Sequence, residues 1–449
     1  MKHLFVGALA GLVMLSMVAW GIKPRPALDG RIPLTWVSDD NPARREQIAV
    51  FNELHPRYYL HLDPTNSGME KVIVQTIGGV GPDLFDCYDG FQLSAYVKSG
   101  IAWDVTDELA AAGIDVRKDV WEAGAPNMIY EGRVYGFLTN ASANAIWINK
   151  DIFDQYGIPY PKGPWTWEQF IPLAQRLTVR DESGRVKHFG LLLDWWNWQQ
   201  FLLQWGGRVY TDDGTRCIVD SPEGCAAIQF MQDLIYKHHV MPSPVEEAAM
   251  ATQGGWGTGT ITFFGGHKAA MALGGRWWLC TLRDYKKLRL GAVEAPHGPY
   301  RVFRGYGRAT LVNRNSPHRT EALAFLKYMA GKEYNDLINH QADALAPVIR
   351  YCYTPEYLHD TDYPDEDFNA VWRDVMTVAP PDQVSPFVNG NVASRILNKQ
   401  LDLVKNGQKS GEEAMKTAAR EINKEIQKTL ELDPSLRAKY HELTSKGSR

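Results

Sequence analysis

Aromatic rings stand beside hydrogen-bonding side chains at three places in this chain. Trp36 precedes Asp39 in "TWVSDD", Trp195 and Trp196 lie between Asp194 and Asn197 in "LLLDWWNWQQFLLQWGG", and Arg276 and Trp277 follow a glycine pair in "GGRWW". Such pairs suit a solute with a flat C–H face and a rim of hydroxyl groups. The ring covers the face, while Asp, Asn and Arg make directional bonds to the rim. A pyranose sugar has that shape.

Other chemistry is poorly represented. No HExxH, GxSxG or phosphate-loop pattern occurs. "GGWGTG" at 254–259 and "GYGRAT" at 305–310 neither follow a strand nor open a helix as a dinucleotide site requires, so both read as flexible loops. Asp86 and Asp89 could flank a glycosidic bond, but two strand-end aspartates are the simpler reading. His238-His239 closes a helix, where imidazoles favour the C-terminal dipole, and reads as that rather than as a metal site. No cofactor or metal is expected. A net charge of −4 without a long basic run excludes a nucleic-acid partner.

The elements that must position these residues follow from periodicity. A strand Ile32 to Val37, a helix carrying Ile48, Phe51 and Leu54 and ended by His55-Pro56, and a strand Tyr58 to Leu62 make a βαβ unit. A second helix, with Met69, Val72, Ile73 and Ile77 on one face, leads to the strand "DLFDCY". Ligands bind outside the carboxyl ends of such parallel strands. Those ends supply Trp36 and Asp39, then Ser67, then Tyr88 and Asp89. Asn140 lies in "TNASAN", between two strands where the chain passes from one lobe to another, and Tyr306 lies in "GYGRAT".

Further on, "WTWEQF" predicts a helix with a Thr166/Gln169 capping box and a Trp165/Phe170 staple, kinked at Pro172. Residues 211–238 read as a turn, a strand and a helix capped by Ser221. In the Trp-rich stretch, Asn197 is the expected helix cap. Trp198, Phe201, Leu202 and Trp205 then form one buried stripe, leaving Trp195 and Trp196 in the preceding loop to face a ligand. A last helix carries Ala414, Ala418, Ile422 and Ile426.

At 449 residues the chain is too long for one core, and two large lobes are the simplest division. Residues 1–21 combine a basic start with an apolar run from Leu4 to Trp20, the layout of a secretory signal cleaved after Gly21 or retained as an anchor. No cysteine follows that run for lipid attachment. Cys217 and Cys225 are close enough in sequence for a local disulfide, whereas Cys87, Cys280 and Cys352 read as buried thiols.

Several runs, in order, resemble the extracellular solute-binding proteins of carbohydrate ABC importers, the family that includes maltose-binding protein. They are "FNELHP", "VGPDLFDCY", "EGRVYGF…IWINKDIF", "GPWTWEQFIPLAQRLT", "WGGRVYTDDG…VDSPEGCAAIQFMQDL", "GHKAAMALGGRWWL" and "GYGRATLVNRNSPHRTEALAFLKYMAGKEY". The resemblance implies an α/β, two-lobe periplasmic-binding-protein fold of type II, with lobe 1 at 30–142 plus 292–325 and lobe 2 at 143–291 plus 326–449. It implies a monomer that closes over a mono- or oligosaccharide and delivers it to ABC permease subunits and, through them, an ATPase. Trp277 matches the family's stacking aromatic, with Trp195, Trp196, Asp39 and Asp89 at other cleft positions and Phe387 at a cleft aromatic near the C-terminus. Arg276 is bulkier than the small residue often found there and would contact an acidic sugar or phosphate, or point away. Residues after about 430 extend past the family's usual end.

Overall fold

The computed structural model describes residues 29–66, 68–250 and 259–446, with Gly11 and Met14 besides. The expected signal or anchor, Ser67 and most of "GGWGTG" therefore lie outside the described residues.

Twelve strands are present among them: β1 Ile32–Val37, β2 Tyr58–Asp63, β3 Leu84–Cys87, β4 Ile129–Tyr130, β5 Arg133–Val134, β6 Gly136–Ala143, β7 Ala145–Asn149, β8 Val179–Arg180, β9 Val186–Leu193, β10 Ala269–Gly274, β11 Leu290–Val293 and β12 Gly305–Val312. They build two five-stranded sheets, ordered β2-β1-β3-β12-β6 and β11-β7-β10-β9-β8, beside the small β4–β5 hairpin. In the first sheet β1 is parallel to β2 and β3, while β12 runs antiparallel to β3 and β6. In the second, β9 and β10 are parallel and β7 is antiparallel to β10 and β11. The "GYGRAT" segment is therefore part of a strand, whose residues from Arg308 to Val312 are all buried between two neighbours.

Local chemistry accounts for the helices that cover the sheets. Asn41 caps helix Pro42–Leu54 by accepting from Arg44 N at 3.0 Å, and Pro42 occupies the first helical position. Ile48 and Phe51 pack inward, but Leu54 is exposed. Helix Met69–Ile77 buries Met69, Val72 and Thr76 and leaves Ile77 in solvent, a rotation from the face its apolar residues predict. Thr166 and Gln169 form the capping box, with the Trp165 and Phe170 rings 5.4 Å apart, and the helix Trp167–Arg176 continues through Pro172. Ser221 caps helix Pro222–Tyr236. The strand expected before it is only a bridge between Tyr210 and Cys217. All five cysteines are thiols, so Cys217 and Cys225 are not paired.

The chain first crosses between sheets at Asn144, the single residue separating β6 from β7. The other expected boundaries need correction. A division at 291/292 cuts β11, which belongs to the second sheet, and one at 325/326 cuts helix Arg319–Ala330. That helix packs on β6 and β12, and helix Lys332–Gln341 packs on Pro42–Leu54, so both cover the first sheet. The segment after them bridges back to β6 at Ala141–Leu345. Helices Gly390–Lys405, Gly411–Leu432 and Pro222–Tyr236 form a bundle on the second lobe. A final helix, Pro434–Lys446, continues from it, with Tyr440 edge-on to Phe387 at 5.3 Å.

Candidate ligand-binding cleft

The carboxyl ends of β1 and β3 deliver Asp39 and Tyr88 to one side of a gap between the sheets; the turn after β10 delivers Trp277 to the other. Asn140 on β6 and Tyr306 and Arg308 on β12 floor the space between them. These residues, with Arg44 and Asp343, enclose a cavity of about 310 Å³. A second cavity of about 270 Å³ is lined by Asp89, Trp196, Gln199, Arg304, Asp382 and Gln383 among others.

An aromatic partition lies between the two chambers. Trp277 Nε1 donates to the Tyr306 hydroxyl at 3.1 Å, and that hydroxyl donates to Asn144 Oδ1 at 3.0 Å. The Tyr306 ring meets Trp196 edge-on, centroids 5.3 Å apart, with the Arg304 guanidinium 5.5 and 5.6 Å from the two rings. Arg304 is itself held by Asp382 at 3.2 Å. Asn144 Nδ2 donates to Asn197 Oδ1 at 2.6 Å, so the crossing residue joins the partition to the Trp-rich turn. Asn197 spends its side chain there and does not cap helix Trp198–Gln204, correcting the expected cap.

The polar wall carries strong charge coupling. Burial opposes ionisation of Asp39, but Arg308 and then Arg44 outweigh it and hold the carboxyl well below the usual carboxylate range. Asp86, beneath it, is pushed up by burial, with Arg308 opposing. The Tyr88 phenol is pushed up to about 12 by burial and by Asp86. Tyr88 and Trp196 are nonetheless 43% and 39% exposed as whole residues, leaving ring surface open to a solute.

Asp39, Tyr88, Asn140, Trp277 and Tyr306 thus come together in the first chamber, and Asp89 and Trp196 in the second. Asp89 also caps helix Gly90–Lys98, accepting from Gln92 N at 2.8 Å. Four expected contacts fall elsewhere. Trp36 is wholly buried in the interior strand β1, packs on Phe325 at 4.9 Å and donates to Asp86 at 2.9 Å. Trp195 packs into the second lobe, beside Met241, Pro242 and Phe263. Arg276 is 1% exposed, donating to Asn369 Oδ1, Ala344 O and Asn339 O at 2.8 to 2.9 Å over the Tyr357 ring. Phe387 is buried against Tyr440, while its neighbours Val384 and Ser385 line the second chamber.

Sequence reasoning missed Arg44, Arg308, Asp343, Arg304, Asp382 and Gln383. Arg308 left one signal, a charge inside an otherwise apolar strand pattern. Asp86 and Asp89 do not act on a common space, since only Asp89 lines a cavity. Among the described residues, His340, Asp360 and Asp362 are the one group whose ligand atoms cluster closely, and they lie away from both chambers.

Two α/β lobes joined by repeated crossings, with a polar and aromatic cleft between them, define a two-lobe binding protein of type II. The model of the bacterial extracellular solute-binding protein family matches residues 41–336, and the chain belongs to that family. It is a solute-binding family rather than a family of enzymes, and it acts outside the cytoplasm. An uncharacterised lipoprotein of Streptomyces antibioticus is 25% identical over 342 residues, covering 71% of each chain. An arabinooligosaccharide-binding protein of Halalkalibacterium halodurans is 26% identical over 110 residues, 24% of each chain. An ABC substrate-binding protein of Listeria monocytogenes in complex with cycloalternan shares the fold, with a TM-score of 0.74 at 21% identity, covering 88% of this chain and 98% of that one. The maltose/maltodextrin-binding domain of Bdellovibrio bacteriovorus bound to maltotriose gives 0.70 at 18%, covering 88% and 100%.

Proposed function

We propose that this protein binds a neutral sugar or oligosaccharide between its lobes and delivers it to an ABC-type permease. The observation that carries this reading is the Trp277–Tyr306–Trp196 aromatic series opposite the hydroxyl-matching groups Asp39, Tyr88 and Asn140. Rings cover the C–H faces of a pyranose, and the carboxylate and amide meet its rim. Two adjoining chambers favour a ligand of at least two rings. Relatives named for binding arabinooligosaccharide and structures holding maltotriose or cycloalternan support the same class.

A sugar phosphate is the weaker alternative. Its basis was Arg276, and all the hydrogen bonds of that guanidinium described above go to protein acceptors away from the cleft.

Binding draws the lobes together about the crossings at Asn144 and at residues 294–304, and the permease, driven by its ATPase, reads the closed form. The protein works as a monomer. Residues 1–21 direct export, by a cleaved signal or a retained anchor. No described helix is long and apolar enough to cross a membrane.

The test is a thermal-melt screen against mono- and oligosaccharides, polyols and sugar phosphates. A bound sugar at about 100 times its Kd stabilises by about 2.7 kcal/mol and raises the melting temperature. A response to sugar phosphates alone would transfer the reading to an anionic solute, and no response to any of them would remove it.

A further inference from the structure

We propose that Arg308 is the positioning residue of the first chamber: from beneath the cleft it holds the Asp39 carboxylate in place as an acceptor for a hydroxyl of the bound solute. This rests on the carbohydrate reading of the same site.

The geometry runs upward in a column. Trp36 Nε1 and Thr310 Oγ1 donate to Asp86 Oδ1 at 2.9 and 3.1 Å, fixing a carboxyl wholly inside the first lobe. Arg308, equally buried, brings Nη1 to 3.4 Å from the other oxygen of Asp86. The same nitrogen donates to Ser38 Oγ at 3.1 Å and to Asp39 Oδ1. Asp39 is the top of the column and its only member with substantial exposure, at 30% of its side chain. Trp36 therefore serves the site as foundation rather than as a stacking ring.

The two oxygens of Asp39 are unequally engaged. Oδ1 faces Arg308, Arg44 Nε at 3.4 Å and the Ser38 hydroxyl at 3.3 Å; Oδ2 accepts from Asn41 Nδ2 at 2.5 Å. An ionised carboxylate oxygen takes about two hydrogen bonds, so Oδ2 retains acceptor capacity toward the cavity. A protonated Asp39 would present one O–H donor and only a weaker, neutral acceptor in place of the charged one. The charged and titratable groups around it are Arg44 from helix Pro42–Leu54, Asp40 beside it, Asp86 and Tyr88 at the end of β3, Arg308 from β12 and Asp343. Arg308 is the strongest of these in favouring ionisation and so makes the site insensitive to acid. A carboxylate or phosphate presented to Asp39 would be repelled, which directs this position to neutral hydroxyls.

The experiment compares wild type with Arg308→Met/Asp86→Asn, in which no buried carboxylate is left without its cation, and with Arg308→Lys. Calorimetric affinity for the tightest binder among maltotriose, arabinotriose and xylotriose is measured from about pH 7 to about pH 3.5. Carboxyl-carbon NMR follows Asp39 in the sugar-free proteins over the same range. Wild type and Arg308→Lys should change by less than about 1.5-fold, whereas the double variant should lose about threefold or more as its aspartate titrates near the unperturbed value. Adding Asp39→Asn should remove that slope, and the NMR inflection should appear only in the double variant. A flat double variant, or a slope that survives Asp39→Asn, overturns the role of Arg308 while leaving the sugar site intact. Wild type binding none of the three sugars counts instead against the carbohydrate reading, and the NMR comparison still decides whether Arg308 controls Asp39.

Discussion

Arg276 and Trp277 are neighbours in the chain and face opposite ways. Arg276 points into the protein, onto two carbonyls and the Asn369 amide, while Trp277 enters the cleft and donates to the Tyr306 hydroxyl. Both lie in the 3₁₀ turn Arg276–Trp278, in which successive side chains diverge by about 120°. Gly275 makes room for this turn: a Cβ there would come within 2.5 Å of Trp277 Cδ1 and of Ser142 Oγ.

That divergence separates two phenotypes. Arg276→Ala removes three charge-assisted hydrogen bonds and leaves buried acceptors unpaired, so it should lower stability by about 3 kcal/mol or more. Trp277→Ala should weaken sugar affinity by about tenfold or more, with a smaller loss of stability. Chemical denaturation and calorimetry on both variants check this, and the reverse assignment would count against the cleft as drawn.

The same contrast holds within the Trp-rich turn. Trp198, buried at the first position of the helix with only an edge on the second chamber, should cost about 3–5 kcal/mol of stability when replaced by alanine. Trp196, half open at the partition, should report instead on affinity for ligands long enough to enter the second chamber. Measuring Trp196→Ala against a monosaccharide and its trisaccharide isolates the effect; equal losses for both would dissociate Trp196 from the second chamber.

Much of the fold was legible because it is local. Thr166 and Ser221 cap where short-range patterns place caps, and the first βαβ units follow from apolar spacing. The site was legible in part. Asp39, Tyr88 and Asp89 sit at strand ends, and Trp277 and Trp196 in turns, where proximity in sequence still implies proximity in space. Trp36 was misread because a strand paired on both edges and covered on both faces hides an aromatic that its sequence neighbours suggest is at the rim. The pairings of Arg308 and Asp343 left no local trace, because they lie 269 residues from Asp39 and 299 from Arg44, the residues whose charges they meet. Phe387 is buried against Tyr440 of the terminal helix, a contact distant in sequence that local spacing does not reveal.

That terminal helix carries its own expectation. Tyr440→Ala uncovers Phe387 and should cost roughly 1–3 kcal/mol, read by denaturation, without changing affinity at the first chamber. A large affinity loss at unchanged stability would assign the helix a role in binding.

Stability should depend on pH with two opposed slopes. Asp39 has a lowered value in the folded protein, so its contribution is present above the unfolded value of about 3.9 and is lost as pH falls below it. Asp86 has a raised value, so the folded state binds its proton more tightly and stability declines as pH rises through that value. Melting temperatures across pH should therefore fall below about pH 4, and Asp86→Asn should flatten the decline above it. An unchanged decline in that variant would refute the assignment to Asp86.

A sugar seated on Trp277 between the lobes is tested by titrating wild type and Trp277→Ala with maltotriose and the other oligosaccharides, followed by intrinsic fluorescence and calorimetry in parallel. Wild type should show a saturable change with one-to-one stoichiometry for at least one sugar, and the substitution should reduce that affinity about tenfold or more. Undiminished affinity in Trp277→Ala, or no saturable binding of any sugar to wild type, would contradict it.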